Sequence, residues 1–232
     1  MTRGALDPGF ENLPRVIPVF PLTGVLILPG GHLPLNIFEP RYLALTRAAL
    51  AEEYHVIGMV QPRVPDPGDN RGVTTVEGGG DQPEIYATGC AGRITSFVET
   101  VDGLYQLNLT GLCRFDIVEE MASQDGYRRV LADYHRYRGD LADEAAPGID
   151  RARLLTVIRR FFEHQGIEAN WEAIEAAPDA QLVTSLAMSC PFNANERQAL
   201  LEAPDTTERA QLIITLLEMA LIETGGASGA SH

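Results

Sequence analysis

Two patterns of apolar and polar positions divide this chain. From Asp150 onward apolar residues recur at helical spacing: Leu154, Ile158, Phe161 and Phe162 form one stripe, and Ala210, Ile213, Ile214, Leu217 and Leu221 another. Four or five helices are predicted there, with starts marked by Asn193 three residues before Glu196, by Asp205 three before Glu208, and by Pro178 at a first-turn position. Up to about residue 137 the apolar runs are short and broken by Pro and Gly. Arg15 to Phe20 and Gly24 to Leu28 read as buried strands of a compact β structure. One helix interrupts them, starting at Glu39 with Pro40 in its first turn and with Tyr42, Leu43, Leu45, Ala49 and Leu50 on one stripe.

Glu84 to Val118 reads as a long hairpin. Asp102-Gly103 is a two-residue turn signal, and Tyr105, Leu107 and Leu109 alternate with Gln106, Asn108 and Thr110. A two-residue turn sets Arg114 opposite Ala91, Arg93 diagonally beside Arg114, and Cys90 diagonal to Cys113 on the other face. Two neighbouring guanidiniums need an acid between them, and Asp116 and Glu39 are the candidates; without one the pair would be an anion site. Pro62 to Gln82, with PDPGDN and GGGDQ, is a loop of the length that serves as a flexible linker or a functional segment.

The expected class is therefore α+β. A flexible arm covers 1–13, a β domain 14–138, a linker 139–149, a helical bundle 150–223 and a disordered tail 224–232. The two halves do not resemble each other.

Charge and composition then remove several functions. The net charge is −14, and the 18 basic residues are all Arg. With no Lys there is no phosphate-binding loop of the Gly-Lys-Ser/Thr kind, no Ser-Lys dyad and no Schiff base. The acidic excess disfavours nucleic acid and anionic membranes. No run approaches the roughly 18 apolar residues of a membrane span, and the first residues lack the apolar core of a leader, so no membrane partner is expected. Three Cys, at 90, 113 and 190, are too few for a disulfide framework and fit a cytoplasmic protein, where they read as small buried apolar residues. The five His are scattered without ligand spacing, Ser185 and Ser189 lack a Gly-flanked elbow, and pairs such as Glu119-Glu120 point apart. No catalytic residue, metal or cofactor is expected.

Four blocks carry a resemblance to a known family: VFPLTGVLILPGGHLPLNIFEPRY at 19–42, GCAGRI at 89–94, DGLYQLNLTGLCRF at 102–115, and CPFNANERQALLEAPDTTERAQLIITLLEMAL at 190–221. Together they resemble the N-terminal domain of Lon proteases over roughly residues 15–222. The resemblance implies a PUA-like β-barrel domain followed by a C-terminal helical bundle, and a role in recognising protein substrates. In full-length Lon an ATPase module and a Ser-Lys peptidase follow; this chain ends at His232 without Lys and looks like a stand-alone branch of the family.

The expected function is non-catalytic binding of unfolded or partly folded protein clients or of a dedicated protein partner, with self-association also open. Binding is expected to be shallow and largely apolar, in a cleft shared by the two parts. The candidate binding residues are Arg41, Tyr42, Arg93, Arg114, Pro191 and Phe192, with the loop from Pro62 to Gln82 as a further surface. Most of these also have a structural reading, which carries more weight: Glu39 caps a helix that buries Tyr42, Arg41 ties that helix to the sheet, and Arg93 and Arg114 belong to an internal ion-pair network. Two other classes stay open: a small-molecule sensor or uncharacterised enzyme using the inter-domain cleft, and RNA binding through the PUA-like domain.

Overall fold

The structure is a computed structural model and describes residues 7–63, 83–142 and 148–227. The strands are β1 Val16–Pro21, β2 His32–Ile37, β3 Val56–Val60, β4 Thr88–Glu99, β5 Tyr105–Gln124 and β6 Tyr127–Asp133. The helices are α1 Pro40–Ala51, α2 Arg151–Gln165, α3 Trp171–Ala176, α4 Asp179–Ser189, α5 Ala194–Glu202 and α6 Thr206–Ala227. This is the mixed α and β composition that the two hydrophobic patterns predict. Among the described residues no helix is long and apolar enough to cross a membrane.

The chain separates into two compact units. The first holds the described residues up to 142 together with Phe192–Leu201; the second holds the rest. In the first, the strand order is β2-β5-β4-β3-β1-β6, and β6 also pairs with β5. Pairing thus returns on itself through β5, β4, β3, β1 and β6, which removes those edges from solvent. Among the described residues only β2 stands outside this circuit, held by β5 alone, and it carries Pro34, a residue that strands tolerate at an edge. The core within the strands gathers Ile17, Val19, Val60, Phe115 and Val130, each at most 2% exposed.

Four expectations of the first half need correction. Gly24 to Leu28 is not a strand: Leu26, Ile27 and Leu28 are buried in irregular backbone that closes over β5. Gly31 and Gly111 explain it, because the Gly111 amide donates to the Gly31 carbonyl at 2.9 Å, and a Cβ on Gly111 would lie 2.0 Å from the Leu28 carbonyl oxygen. Residues 7–13, expected in a loose arm, instead hold on to the unit: Asp7 pairs with Arg93, and Leu13 belongs to the core. The stretch read as the start of a linker contains the end of a 3-10 helix, His135–Leu141, that packs on β5.

The fourth correction concerns register. The β4–β5 turn has three residues, not two: the Thr100 amide donates to the Leu104 carbonyl at 2.8 Å, leaving Val101, Asp102 and Gly103 in the loop. Gly103 sits at φ +74°, where glycine is unstrained. This one-residue difference pairs Arg114 with Cys90 and Cys113 with Ala91, so the two thiols lie on opposite sheet faces. Bulges at Ala91/Gly92 and Ile94/Ser96 shift it again, and Arg93 faces Thr110.

In the second unit, α2 and α4 each pack on α6. Helix α2 starts on Asp150, whose side chain accepts from the Arg153 amide at 3.0 Å, and α3 on Asn170, which accepts from the Ala173 amide at 3.0 Å. The start predicted at Asp205 is also made, its side chain accepting from the Glu208 amide at 2.9 Å ahead of α6. Gly166 at φ 66° ends α2. Pro178 stands one residue before α4 rather than inside its first turn. The buried stripes are those predicted, Leu154, Ile158 and Phe161 on α2 and Ala210, Ile213, Ile214 and Leu217 on α6, while Phe162 and Leu221 are half-buried. Helix α6 continues to Ala227, beyond the residue at which a disordered tail was expected.

Candidate binding groove

Sequence places a run of apolar residues where β1, β2 and α1 meet, and the fold leaves part of it uncovered. Phe20, Pro21 and Leu22 leave β1 at the mouth, Leu35 to Phe38 end β2, and Glu39 to Tyr42 start α1. Pro62, Arg63 and Pro83 form another wall, and the β5–β6 turn at Gly126 to Arg128 closes the end. The groove encloses about 630 Å³, within the range of ligand sites.

Local sequence explains the walls. Strand alternation buries Ile37 and turns Phe38 outward, so Phe38 is 66% exposed beside its 3% exposed neighbour. Pro40 begins α1, but the Glu39 side chain makes no cap hydrogen bond; its Oε2 accepts instead from Arg41 Nε at 3.0 Å. Arg41 therefore does not tie the helix to the sheet: its carboxylate partner is its own neighbour. Its guanidinium also lies 4.5 Å over the Tyr42 ring. Tyr42 is buried against Phe20, ring centroids 4.0 Å apart, and burial pushes its phenol above the ordinary value despite the opposing charge of Arg41.

The β5–β6 turn is a two-residue one. Asp125 at φ 48° and Gly126 at φ 82° give it positive φ at both central positions, the type I′ geometry that matches strand twist. It carries Arg128 to the groove, where Nε and NH2 donate to the two Glu120 carboxylate oxygens at 2.6 and 2.5 Å and NH1 donates to the Pro83 carbonyl at 2.7 Å. Arg63 is exposed, with its guanidinium 5.5 Å from the Tyr86 ring. Pro62 bridges to Ile85, and the Arg63 amide donates to the Glu84 carbonyl at 2.8 Å.

This arrangement can bind but offers little for catalysis. Among its described lining residues there is no His, Cys or Ser, and so no nucleophile with a base. Among the described residues no cluster of three His, Cys, Asp or Glu could hold a metal ion. The thiols of Cys90, Cys113 and Cys190 are all buried. Burial also pushes the Cys113 thiol far up, with Asp140 adding to the effect, which keeps it protonated and unreactive.

Of the six residues singled out from sequence, Arg41 and Tyr42 line the groove and the others do not. Arg93 donates to Asp7 Oδ1 at 2.8 Å. Arg114 is the buried hub of the first unit, and it is not beside Arg93. Its backbone amide and Nε both donate to Asp140 Oδ2 at 2.9 Å, NH2 donates to Oδ1 at 2.7 Å, and NH1 donates to the Leu201 carbonyl at 3.0 Å. Burial works to lower the Arg114 pKa, but Asp140 outweighs it and holds the guanidinium above its ordinary value. The acid expected at Asp116 or Glu39 is thus Asp140. Asp116 instead accepts from the Thr88 hydroxyl at 2.8 Å.

Pro191 is exposed, while Phe192 is buried and its carbonyl accepts from Arg197 Nε at 2.9 Å. Of the Pro62–Gln82 surface, only Pro62 and Arg63 fall within the described residues, and both line the groove. Sequence reasoning missed Phe38, for which the buried-exposed alternation at Ile37-Phe38 was the available signal, and marked Arg63 only as part of the loop.

Comparison with known proteins agrees over most of the chain. The family described as "ATP-dependent protease La (LON) substrate-binding domain" matches residues 16–219. The chain is 26% identical over 211 residues to Lon protease 2 of Myxococcus xanthus, covering 89% of this chain and 24% of that protein. It is 25% identical over 212 residues to the Lon protease of Anaeromyxobacter dehalogenans, covering 89% and 23%. The chain thus spans about a quarter of the length of these relatives. Similar folds are the Lon N-terminal domain protein from Xanthomonas campestris, with a TM-score of 0.56, 22% identity and coverage of 86% and 97%, and the N-terminal domain of Mycobacterium avium complex Lon protease, with 0.57, 20%, 88% and 98%.

Proposed function

Because the chain belongs to the family of LON substrate-binding domains, we propose that it is a non-catalytic module that recognises unfolded or partly folded protein clients. The family match over residues 16–219 carries this reading. The groove at the start of α1 supports it: its walls are mainly apolar, and Phe38 stands 66% exposed at its rim. We assign client binding to that groove and place the module in the cytoplasm. These 232 residues contain no lysine from which a Ser-Lys peptidase dyad could be built. We read the closed strand circuit with β2 attached as a PUA-like barrel. The acidic balance of −14 speaks against RNA.

The test is a fluorescence anisotropy titration of the chain against a labelled unfolded polypeptide and its folded form at physiological salt. Saturable binding in the roughly micromolar range that prefers the unfolded form, and that is lost in Phe38→Ser, is the expected result. No binding to either form overturns the reading. A second reading, a small-molecule sensor, draws on the groove volume of about 630 Å³; a saturable rise in melting temperature with a metabolite would favour it.

A further inference from the structure

The groove differs in sign from the rest of the protein. Over the whole chain 18 Arg face 32 Asp and Glu. Among the described groove residues the charged side chains are Arg41, Arg63, Arg128 and Glu39, three guanidiniums to one carboxylate. Two of the three are already neutralised. Glu39 holds Arg41 at 2.8 Å, and Glu120 holds Arg128 at 2.5 Å. Arg63 is different: it is exposed, it lies over the Tyr86 ring at 5.5 Å, and among the described residues it has no carboxylate partner. An apolar trough with one uncommitted cation at its wall is complementary to an apolar ligand that brings a carboxylate.

The shape of that ligand follows from β2. Leu35, Asn36 and Ile37 line the groove, and among the described residues β2 pairs with β5 alone. A strand with a free edge offers its outward backbone groups to an extended segment.

Resting on the client-binding reading above, we propose that the groove selects extended client segments in which aliphatic or aromatic residues are flanked by Asp or Glu, the acidic side chain being received by Arg63. The module's own excess of carboxylates makes this selection local: an acidic client is repelled by most of the surface and accepted where the groove wall holds a guanidinium with no carboxylate partner among the described residues. Basic apolar segments, which the overall charge attracts, gain nothing at the groove itself.

The test uses the 232-residue chain and two labelled peptides, amidated at the C-terminus so that only side chains supply carboxylates. Both have the same apolar core, one flanked by Glu and the other by Gln. At low ionic strength the Glu peptide should bind about fivefold more tightly, the scale of an exposed ion pair. The preference should vanish in Arg63→Gln and shrink as salt is raised, while Phe38→Ser weakens both peptides. Equal binding of the two peptides to the unaltered chain overturns the proposal and leaves client binding standing. A preference that survives Arg63→Gln overturns the role of Arg63. Failure of both peptides to bind, or binding indifferent to Phe38→Ser, overturns the groove assignment and this proposal with it.

Discussion

Arg114 and Arg63 each lie over a tyrosine ring, at 4.6 Å from Tyr137 and 5.5 Å from Tyr86, yet they stand at opposite ends of a range. Arg114 is 4% exposed, and its guanidinium donors are met by both oxygens of Asp140 and by the Leu201 carbonyl. Arg63 is exposed and meets no carboxylate among the described residues. The difference separates a charge satisfied within the fold from one left open to solvent. A buried guanidinium must be fully satisfied, because an unpaired buried charge is costly. An exposed one beside an apolar groove carries no such demand and remains available. The comparison also redirects attention from Arg114, singled out individually in the sequence, to Arg63, marked there only as part of the loop from Pro62 to Gln82.

The largest effect expected from breaking this contrast is at Asp140. Replacing it by Ala strands the Arg114 guanidinium in the interior and should cost about 3–5 kcal/mol, a large part of the roughly 5–15 kcal/mol that holds a domain together. Urea denaturation followed by circular dichroism measures it. Replacing both partners, Arg114→Met with Asp140→Leu, should restore part of that loss, because no charge is left unpaired. A double variant no more stable than Asp140→Ala alone would mean that the Leu201 carbonyl and the Tyr137 ring, rather than the acid, are what Arg114 serves.

Next in size is Gly111→Ala. The new Cβ would meet the Leu28 carbonyl oxygen at 2.0 Å, and backbone rather than a flexible side chain would have to move. A loss of about 3 kcal/mol is expected, at the upper end of overpacking costs, again by denaturation. Ala in place of Gly103, where nothing lies within 4 Å, should show only the smaller strain of its φ of +74°.

These same residues show how far the sequence could be read. The helices were legible because caps and stripes are local: Asn193 and Asp205 each accept from the amide three residues on, at 2.9 Å. The sheet was legible as strands but not as register. Two Asp-Gly pairs illustrate why. At 125–126 the pair forms a two-residue turn, while at 102–103 Thr100 and Leu104 pair first and Val101 joins the loop. Nothing within either dipeptide distinguishes these, and one residue of difference moves every cross-strand partner. Asp140 was unreadable for another reason: it sits 26 residues from Arg114 in a stretch whose composition reads as linker, and only the closed fold brings them together. Gln198 of α5 is similar, donating from Nε2 to the Thr88 carbonyl at 3.2 Å across 110 residues of chain. The groove was half legible: Arg41 and Tyr42 were marked by the NIFEPRY block, but which of its residues face outward depended on where β2 ended.

The smallest expected effect is the stability change in Phe38→Ser, and it sharpens the comparison most. A buried Phe truncated in a core costs several kcal/mol because it leaves a cavity. Phe38 is 66% exposed, so truncation leaves no cavity and returns apolar surface to nothing but solvent. Its unfolding free energy, by urea denaturation, should stay within about 0.5 kcal/mol of the unaltered chain, in contrast to Asp140→Ala. If client binding falls while stability holds, the exposed ring is kept for recognition, as Arg63 is. If stability falls by more than about 1 kcal/mol, Phe38 belongs with Arg114 among the residues that hold the fold, and the division between a satisfied interior and an open groove fails at its rim.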